Sequence, residues 1–147
     1  MPIVSVARTG TPKAMTSGTV NVHVVAAVIQ HGDRFLVTRR QDGVHLAGMW
    51  EFPGGKVSRG ESHADALRRE IVEELDTDVI VGDLLLETTY AYPDRTVTLS
   101  FYRCDLLGRP KPMIGQDMEW VATDALASLA FPPADDELVR MLTDGAP

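Results

Sequence analysis

Three glutamates, Glu70, Glu73 and Glu74, follow one another at helical spacing a short distance after a glycine pair, Gly54-Gly55. Residues three and four apart share a helical face, so a helix here stacks like charges. Ala64, Leu67, Ile71 and Leu75 supply an apolar stripe at the same period, which predicts a helix over Glu61 to Leu75 with the acids and Arg69 on its other faces. Such an acidic face is either plain solvated surface or a seat for a cation. The glycine turn favours the second reading, because glycine lets backbone approach closely and lets a carbonyl join the carboxylates as a ligand. Hard oxygen donors of this kind select Mg2+ or Mn2+.

The rest of the chain predicts a mixed sheet with helices on both faces. Val22 to Ile29 is almost entirely apolar, a buried strand, and His31-Gly32-Asp33 turns it into a second strand over Arg34 to Thr38. Gln41 to Gly48 reads as a loop, and Met49 to Phe52 as a short extended piece stopped by Pro53. Val79 to Leu86, Glu87 to Tyr92, Thr96 to Leu107 and Met118 to Val121 read as strand material, with a turn at Tyr92-Pro93-Asp94-Arg95. A short helix capped by Thr123 is expected over Asp124 to Leu129. A last helix is expected over Asp135 to Leu142, with Leu138 and Met141 inward. Residues 1–20, rich in Gly, Thr and Ser, are expected to be a flexible leader to a single domain over residues 21–147.

Composition removes several classes of function. A net charge of −7 argues against binding polymeric nucleic acid, which needs a basic surface. A single cysteine, Cys104, excludes an internal disulfide and a multi-cysteine metal site, and its apolar surroundings predict a buried thiol. No run is long enough for a membrane span and the first residues lack a secretory pattern, so a cytoplasmic protein without membrane contact, monomer or homodimer, is expected. His23, His31, His45 and His63 show no ligand spacing, and Trp50 and Trp120 read as packing residues. Lys56 is not followed by Ser or Thr, so the glycine turn is not a P-loop.

Gly55, five residues, Glu61, seven residues, Arg69-Glu70-Ile71, one residue, Glu73-Glu74 resembles the signature of the Nudix hydrolases. Where that signature continues with glycine and an aliphatic residue, this chain has Asp76 and Thr77. Leu46 to Lys56, Thr38-Arg39-Arg40, Tyr92-Pro93-Asp94-Arg95 and Phe131-Pro132-Pro133-Ala134-Asp135 extend the likeness to the bacterial MutT-type subgroup, diphosphatases of 8-oxo-dGTP. The resemblance implies an α/β/α sandwich around a mixed sheet. It also implies metal-dependent hydrolysis of a nucleoside triphosphate to monophosphate and pyrophosphate. It makes Glu70, Glu74 and the Gly54 carbonyl metal ligands, with Glu73 a further acid of the metal site, Arg69 the cation that holds the cluster and Glu61 the residue that fixes loop to helix. Arg40, Glu51, Phe52, Lys56, Tyr92, Arg95 and Asp135 match positions around the nucleotide. At the position where the subgroup carries one further acid, this chain has Ile114, with Asp117 and Glu119 nearby.

The base is the open question. Asp135 stands where the best-known pattern has asparagine, and an ionised carboxylate only accepts hydrogen bonds. It can accept from N7–H of oxidised guanine or from the N4 amino group of cytosine. The resemblance around Tyr92 to Arg95 puts 8-oxo-dGTP first, with a cytidine nucleotide such as CTP, dCTP or 5-substituted dCTP as the alternative. Asp135 also fits a plain helix cap, and Tyr92 a plain turn aromatic. An inactive nucleotide-binding module of the same fold is the third reading. The intact Glu61, Arg69, Glu70, Glu73 and Glu74 weigh against it, and Ile114 weighs for it.

Overall fold

The computed structural model describes residues 20–39 and 48–144. Among them are seven strands, β1 Val20–His31, β2 Arg34–Arg39, β3 Trp50–Glu51, β4 Gly54–Lys56, β5 Val79–Tyr92, β6 Arg95–Leu106 and β7 Asp117–Ala122. Two α-helices, α1 His63–Leu75 and α2 Asp136–Asp144, join them, with 3-10 turns at Thr123–Ser128 and Pro133–Asp135. β1 organises the sheet. It runs parallel to β6 from Val20↔Arg95 to Ile29↔Cys104 and antiparallel to β4 from Val24↔Lys56 to Ala26↔Gly54. It then turns through Gly32, at φ +63, into a hairpin with β2. β5 pairs with the far side of β6, and β2 carries β3 and β7.

The unbroken apolar run in β1 follows from burial on both faces. Val25, Ala27 and Ile29 pack with Ala66, Leu67, Ile71 and Leu75 of α1. Ala26 and Val28 point the other way, into a second core with Phe52, Phe101, Leu138 and Val139. Alternation at period two thus feeds two cores, one on each face of a mixed sheet, which is the α/β/α layering expected from the sequence. Trp50 and Trp120 pack at the margins of the two cores, as their sequence context implies. Cys104 is buried, and burial pushes its thiol up to about 12.

Several boundaries differ from the sequence expectation. α1 begins at His63 because the Ser62 hydroxyl caps it, accepting from the Asp65 N–H at 3.1 Å, so Glu61 lies in the loop before it. Ala64 is exposed and Ala66 takes its place in the core. The helix is rotated so that Glu70 and Glu74 lie on the sheet-facing side, half-buried, rather than on an outer face. β5 is one strand rather than two, irregular between Val81 and Leu86. Thr123 does not cap its segment; its hydroxyl donates to the Asp33 carbonyl at 2.8 Å. Pro133-Ala134-Asp135 forms a separate turn, so α2 starts at Asp136. The expected leader and Arg40 fall outside the described residues, although Val20 already belongs to β1.

Asp76 closes α1 in the left-handed region, at φ 57 and ψ 36, with its N–H on the Val72 carbonyl. Glycine takes this position at no steric cost, whereas aspartate adds strain and a negative charge at the negative end of the helix dipole. Asp76→Gly is expected to stabilise the fold by about 0.5–1 kcal/mol, a rise of ~1–4 °C in Tm measured by calorimetry.

Candidate active site

The loop from Gly54 to Glu61 and the helix behind it are tied by one guanidinium. Arg69 Nε and Nη2 donate to the two Glu61 oxygens at 2.8 and 2.9 Å. Nη1 donates to Glu70 at 2.8 Å, and Nη2 also reaches the Lys56 carbonyl at 3.0 Å. The planar fork serves loop and helix together, which an ammonium does not do. Glu61 is in turn anchored by the Ser58 N–H at 2.9 Å. Arg69 first, and that N–H second, hold its carboxyl down at about 2. One guanidinium and one carboxylate thus join the loop to the helix.

Glu70 and Glu74 extend from this buckle into a cavity of about 460 Å3. Gly54 and Gly55 make that placement feasible. A Cβ on Gly54 would overlap the Val25 carbonyl, and one on Gly55 would overlap the Glu70 carboxylate. The Glu70 and Glu74 carboxyls are hydrogen-bonded to each other, and the Gly54 N–H donates to Glu74. Burial pushes the Glu74 carboxyl well above the ordinary range; its hydrogen bond with Glu70 and the charges of Glu70 and Glu51 push the same way. Two acids in contact, crowded by a third, form an arrangement that a divalent cation relieves. The donor set of hard oxygens fits Mg2+ or Mn2+. Among the described residues no three acidic, histidine or cysteine side chains already close around one point, so the fit rests on the Glu70–Glu74 pair and its surroundings.

The other expected residues divide into groups. Glu51, Phe52, Lys56, Tyr92, Arg95 and Asp135 all line the same cavity. Phe52 is locked in place, stacked on Phe131 at 5.3 Å and edge-on to Phe101 at 6.1 Å. Tyr92 ends β5 with its ring 4.8 Å from that of Tyr90, and Arg95 opens β6 with an ion pair to Asp94 at 3.2 Å. Asp135 is 5% exposed within its 3-10 turn. Glu73 lies apart, with a side chain 59% exposed and 3.8 Å from Arg69. Ile114 is exposed on the loop between β6 and β7. Neither nearby acid takes its place in the cavity lining: Asp117 pairs with Arg39, and Glu119 is exposed on β7. The third carboxylate beside Glu70 and Glu74 is Glu51, delivered from β3.

Sequence reasoning passed over the apolar wall of the cavity, Val22 and Val24 of β1 with Val97 and Leu99 of β6. The signal was present, since these residues share strand parity with Ala26 and Phe101. It also passed over Gln116, a buried amide in the loop beyond β6. A lone glutamine carries no sequence signal of its own.

The NUDIX domain pattern matches residues 24–141. An 8-oxo-dGTP diphosphatase of Haemophilus influenzae is 33% identical over 123 residues, 82% of this chain and 90% of that protein. A CTP pyrophosphohydrolase of Escherichia coli is 31% identical over 120 residues, 81% of this chain and 89% of that one. The solution structure of a MutT protein of the Nudix family from methicillin-resistant Staphylococcus aureus superposes with a TM-score of 0.72 at 36% identity, over 87% of this chain and 99% of the other. With its signature helix buckled to the glycine loop and a family match running nearly from β1 to the end of α2, the chain belongs to the Nudix hydrolases and is a nucleotide pyrophosphohydrolase of that family.

Proposed function

We propose that the cavity takes 8-oxo-dGTP and that the enzyme hydrolyses it to the monophosphate and pyrophosphate. The observation that carries this reading is that one cavity is lined by two kinds of group, the carboxylates Glu51, Glu70 and Glu74 and the set Tyr92, Phe52, Ala134 and Asp135. A triphosphate with its cations suits the first and a flat base suits the second. Bound Mg2+ supplies screening of the phosphate oxygens and a lowered pKa for the attacking water. Glu70, Glu74 and the Gly54 carbonyl hold it, with Glu51 as the third carboxylate facing the pair. Glu73, exposed beside the cluster, serves as a further acid once substrate is bound. Arg69 and Glu61 keep the helix and loop in register, and Lys56 contacts phosphate. Arg95 and Tyr92 shape the base site, Phe52 closes its floor, and Asp135 accepts from the base edge. Arg40, which lies outside the described residues, is a nucleotide-side candidate by resemblance alone.

A cytidine nucleotide is the second reading, favoured by one observation: the buried group at the base site is an acceptor-only carboxylate. The CTP pyrophosphohydrolase relative has a similar level of identity to the diphosphatase. A turnover panel of 8-oxo-dGTP, dGTP, dCTP, 5-methyl-dCTP and CTP with Mg2+ separates the two. Guanine oxidation is expected to raise kcat/KM by at least ~10-fold, since one well-made hydrogen bond in a dry pocket is worth ~1.4 kcal/mol or more. Equal turnover of dGTP and its oxidised form would end the sanitising reading, and no pyrophosphate from any member would leave a binding module. Asp135→Asn restores a donor and is expected to move the 8-oxo-dGTP to dCTP ratio several-fold towards the guanine. An unmoved ratio would reduce Asp135 to a turn residue.

A further inference from the structure

The loop between β6 and β7 offers no acid to the cavity, yet it is fastened to the helix that does. The Glu74 carbonyl accepts two hydrogen bonds from this loop, from the Met113 N–H at 2.9 Å and from Gln116 Nε2 at 3.0 Å. The next carbonyl, Leu75, accepts from the Lys111 N–H at 2.8 Å. These are carbonyls of the last turn of α1, which have no partner within the helix. Gln116 is 8% exposed. Its amide is used at both ends, since Oε1 accepts from the Ile114 N–H at 3.0 Å. A backbone N–H only donates and a backbone carbonyl only accepts, so the two partners fix the orientation of the amide. Its buried side chain thus bridges a turn of the loop and the backbone of the residue whose carboxyl enters the cavity.

We propose that Gln116 is a positioning residue for the metal site, setting the direction in which Glu74 leaves the end of α1. The proposal rests on the reading of Glu74 as a cation ligand. The geometry gives a specific reason for such a device here. Glu74 lies one residue before the end of α1, and Asp76 closes the helix in a strained left-handed conformation. Without an outside clamp the last turn of a helix frays. The carboxyl of Glu74 is meanwhile pressed by Glu70 and Glu51. The amide restrains the Glu74 backbone against that pressure. Ile114 has an exposed side chain while its N–H holds the amide, so this stretch of the loop contributes backbone and one buried amide rather than an acid.

The test titrates Mn2+ alone, without nucleotide, into the full chain, with circular dichroism and melting curves alongside. Four proteins are compared: wild type, Gln116→Met, Gln116→Asn and Glu74→Gln. Methionine keeps the volume and removes both hydrogen bonds; asparagine keeps the amide but is too short to span both partners. Both Gln116 variants are expected to fold and to bind Mn2+ ~3- to 10-fold more weakly, the range for losing the single side-chain hydrogen bond that reaches Glu74. Their turnover at saturating Mn2+ is expected to stay near wild type while the Mn2+ concentration for half activation rises to match. Folded variants that melt lower yet bind Mn2+ within ~2-fold of wild type, beside a Glu74→Gln protein that binds poorly, would overturn the proposal and leave Gln116 a purely structural clamp. Unchanged Mn2+ affinity in Glu74→Gln would instead remove Glu74 from the ligand set, and the proposal with it.

Discussion

Glu74→Gln is expected to cost at least ~100-fold in turnover with Mg2+ and, in chelator, to raise the melting temperature. The two effects have one cause. Glu74 is held against Glu70, receives the Gly54 N–H and feels the charge of Glu51. In the metal-free protein this crowding opposes folding, because the Glu74 carboxyl must take up a proton to lie buried against Glu70. An amide of the same shape needs no proton there, a gain of roughly 1 kcal/mol or ~2–4 °C in Tm. With the metal present the order reverses, since binding to the native state stabilises wild type in proportion to affinity, and the variant has lost a ligand. Melting curves in EDTA and in excess Mg2+ check the crossing, and pyrophosphate release checks the activity. A folded variant with wild-type turnover would remove Glu74 from the chemistry. A lower Tm in EDTA would show that its carboxyl is part of the stability of the fold.

The second large effect separates two adjacent glycines. Gly54→Ala and Gly55→Ala each add one methyl group, and the two methyls meet different obstacles. At Gly54 the new carbon overlaps the Val25 carbonyl and approaches the Ala26 Cα at 2.7 Å, both backbone of the central strand. Backbone there yields only if β4 parts from β1, so a loss of ~3 kcal/mol or more is expected, a fall of roughly 6–12 °C in Tm. At Gly55 the obstacle is the end of the Glu70 side chain, which can rotate away. Gly55→Ala is therefore expected to fold and melt close to wild type but to lose ~10- to 100-fold in kcat/KM, because Glu70 leaves both Arg69 and the cavity. Equal Tm losses in the two variants would contradict this division, as would a Gly55→Ala enzyme of normal activity.

The signature helix and the central strand were legible because each announces itself locally. Acids at three- and four-residue steps define a face, and an unbroken apolar run such as Val22 to Ile29 implies burial on both sides. What was not legible depends on partners distant in sequence. The helical pattern alone places Glu70 and Glu74 away from the core; that they line a cavity, with Glu70 in the space a Cβ on Gly55 would fill, depends on the glycine strand packed beside the helix. Resemblance marks Glu51 as a nucleotide-side residue, but its place beside Glu70 and Glu74 shows only once β3 delivers it to the cavity. Ile114 reads as a missing ligand, while the contribution of its loop lies in backbone hydrogen bonds and in Gln116, which sequence spacing does not encode. Ala66 takes the place of Ala64 in the core, while Leu67, Ile71 and Leu75 are buried as their spacing predicts.

The parallel pairing of β1 with β6 has a further consequence, for the order in which the enzyme comes into being. The partners Val22 and Val97, Val24 and Leu99 form the apolar wall of the cavity, and most of the chain between them must be made before they meet. Such distant contacts close slowly, after local helices and hairpins have formed. On the ribosome the residues of the β1–β2 hairpin and the acidic helix have all been made once Leu75 has emerged, while the nucleotide wall waits for β6 and the last helical turn for the loop beyond it. During that interval the nascent chain carries exposed glutamates and no substrate cavity, so an emerging polypeptide can attract a cation well before it can hydrolyse a nucleotide.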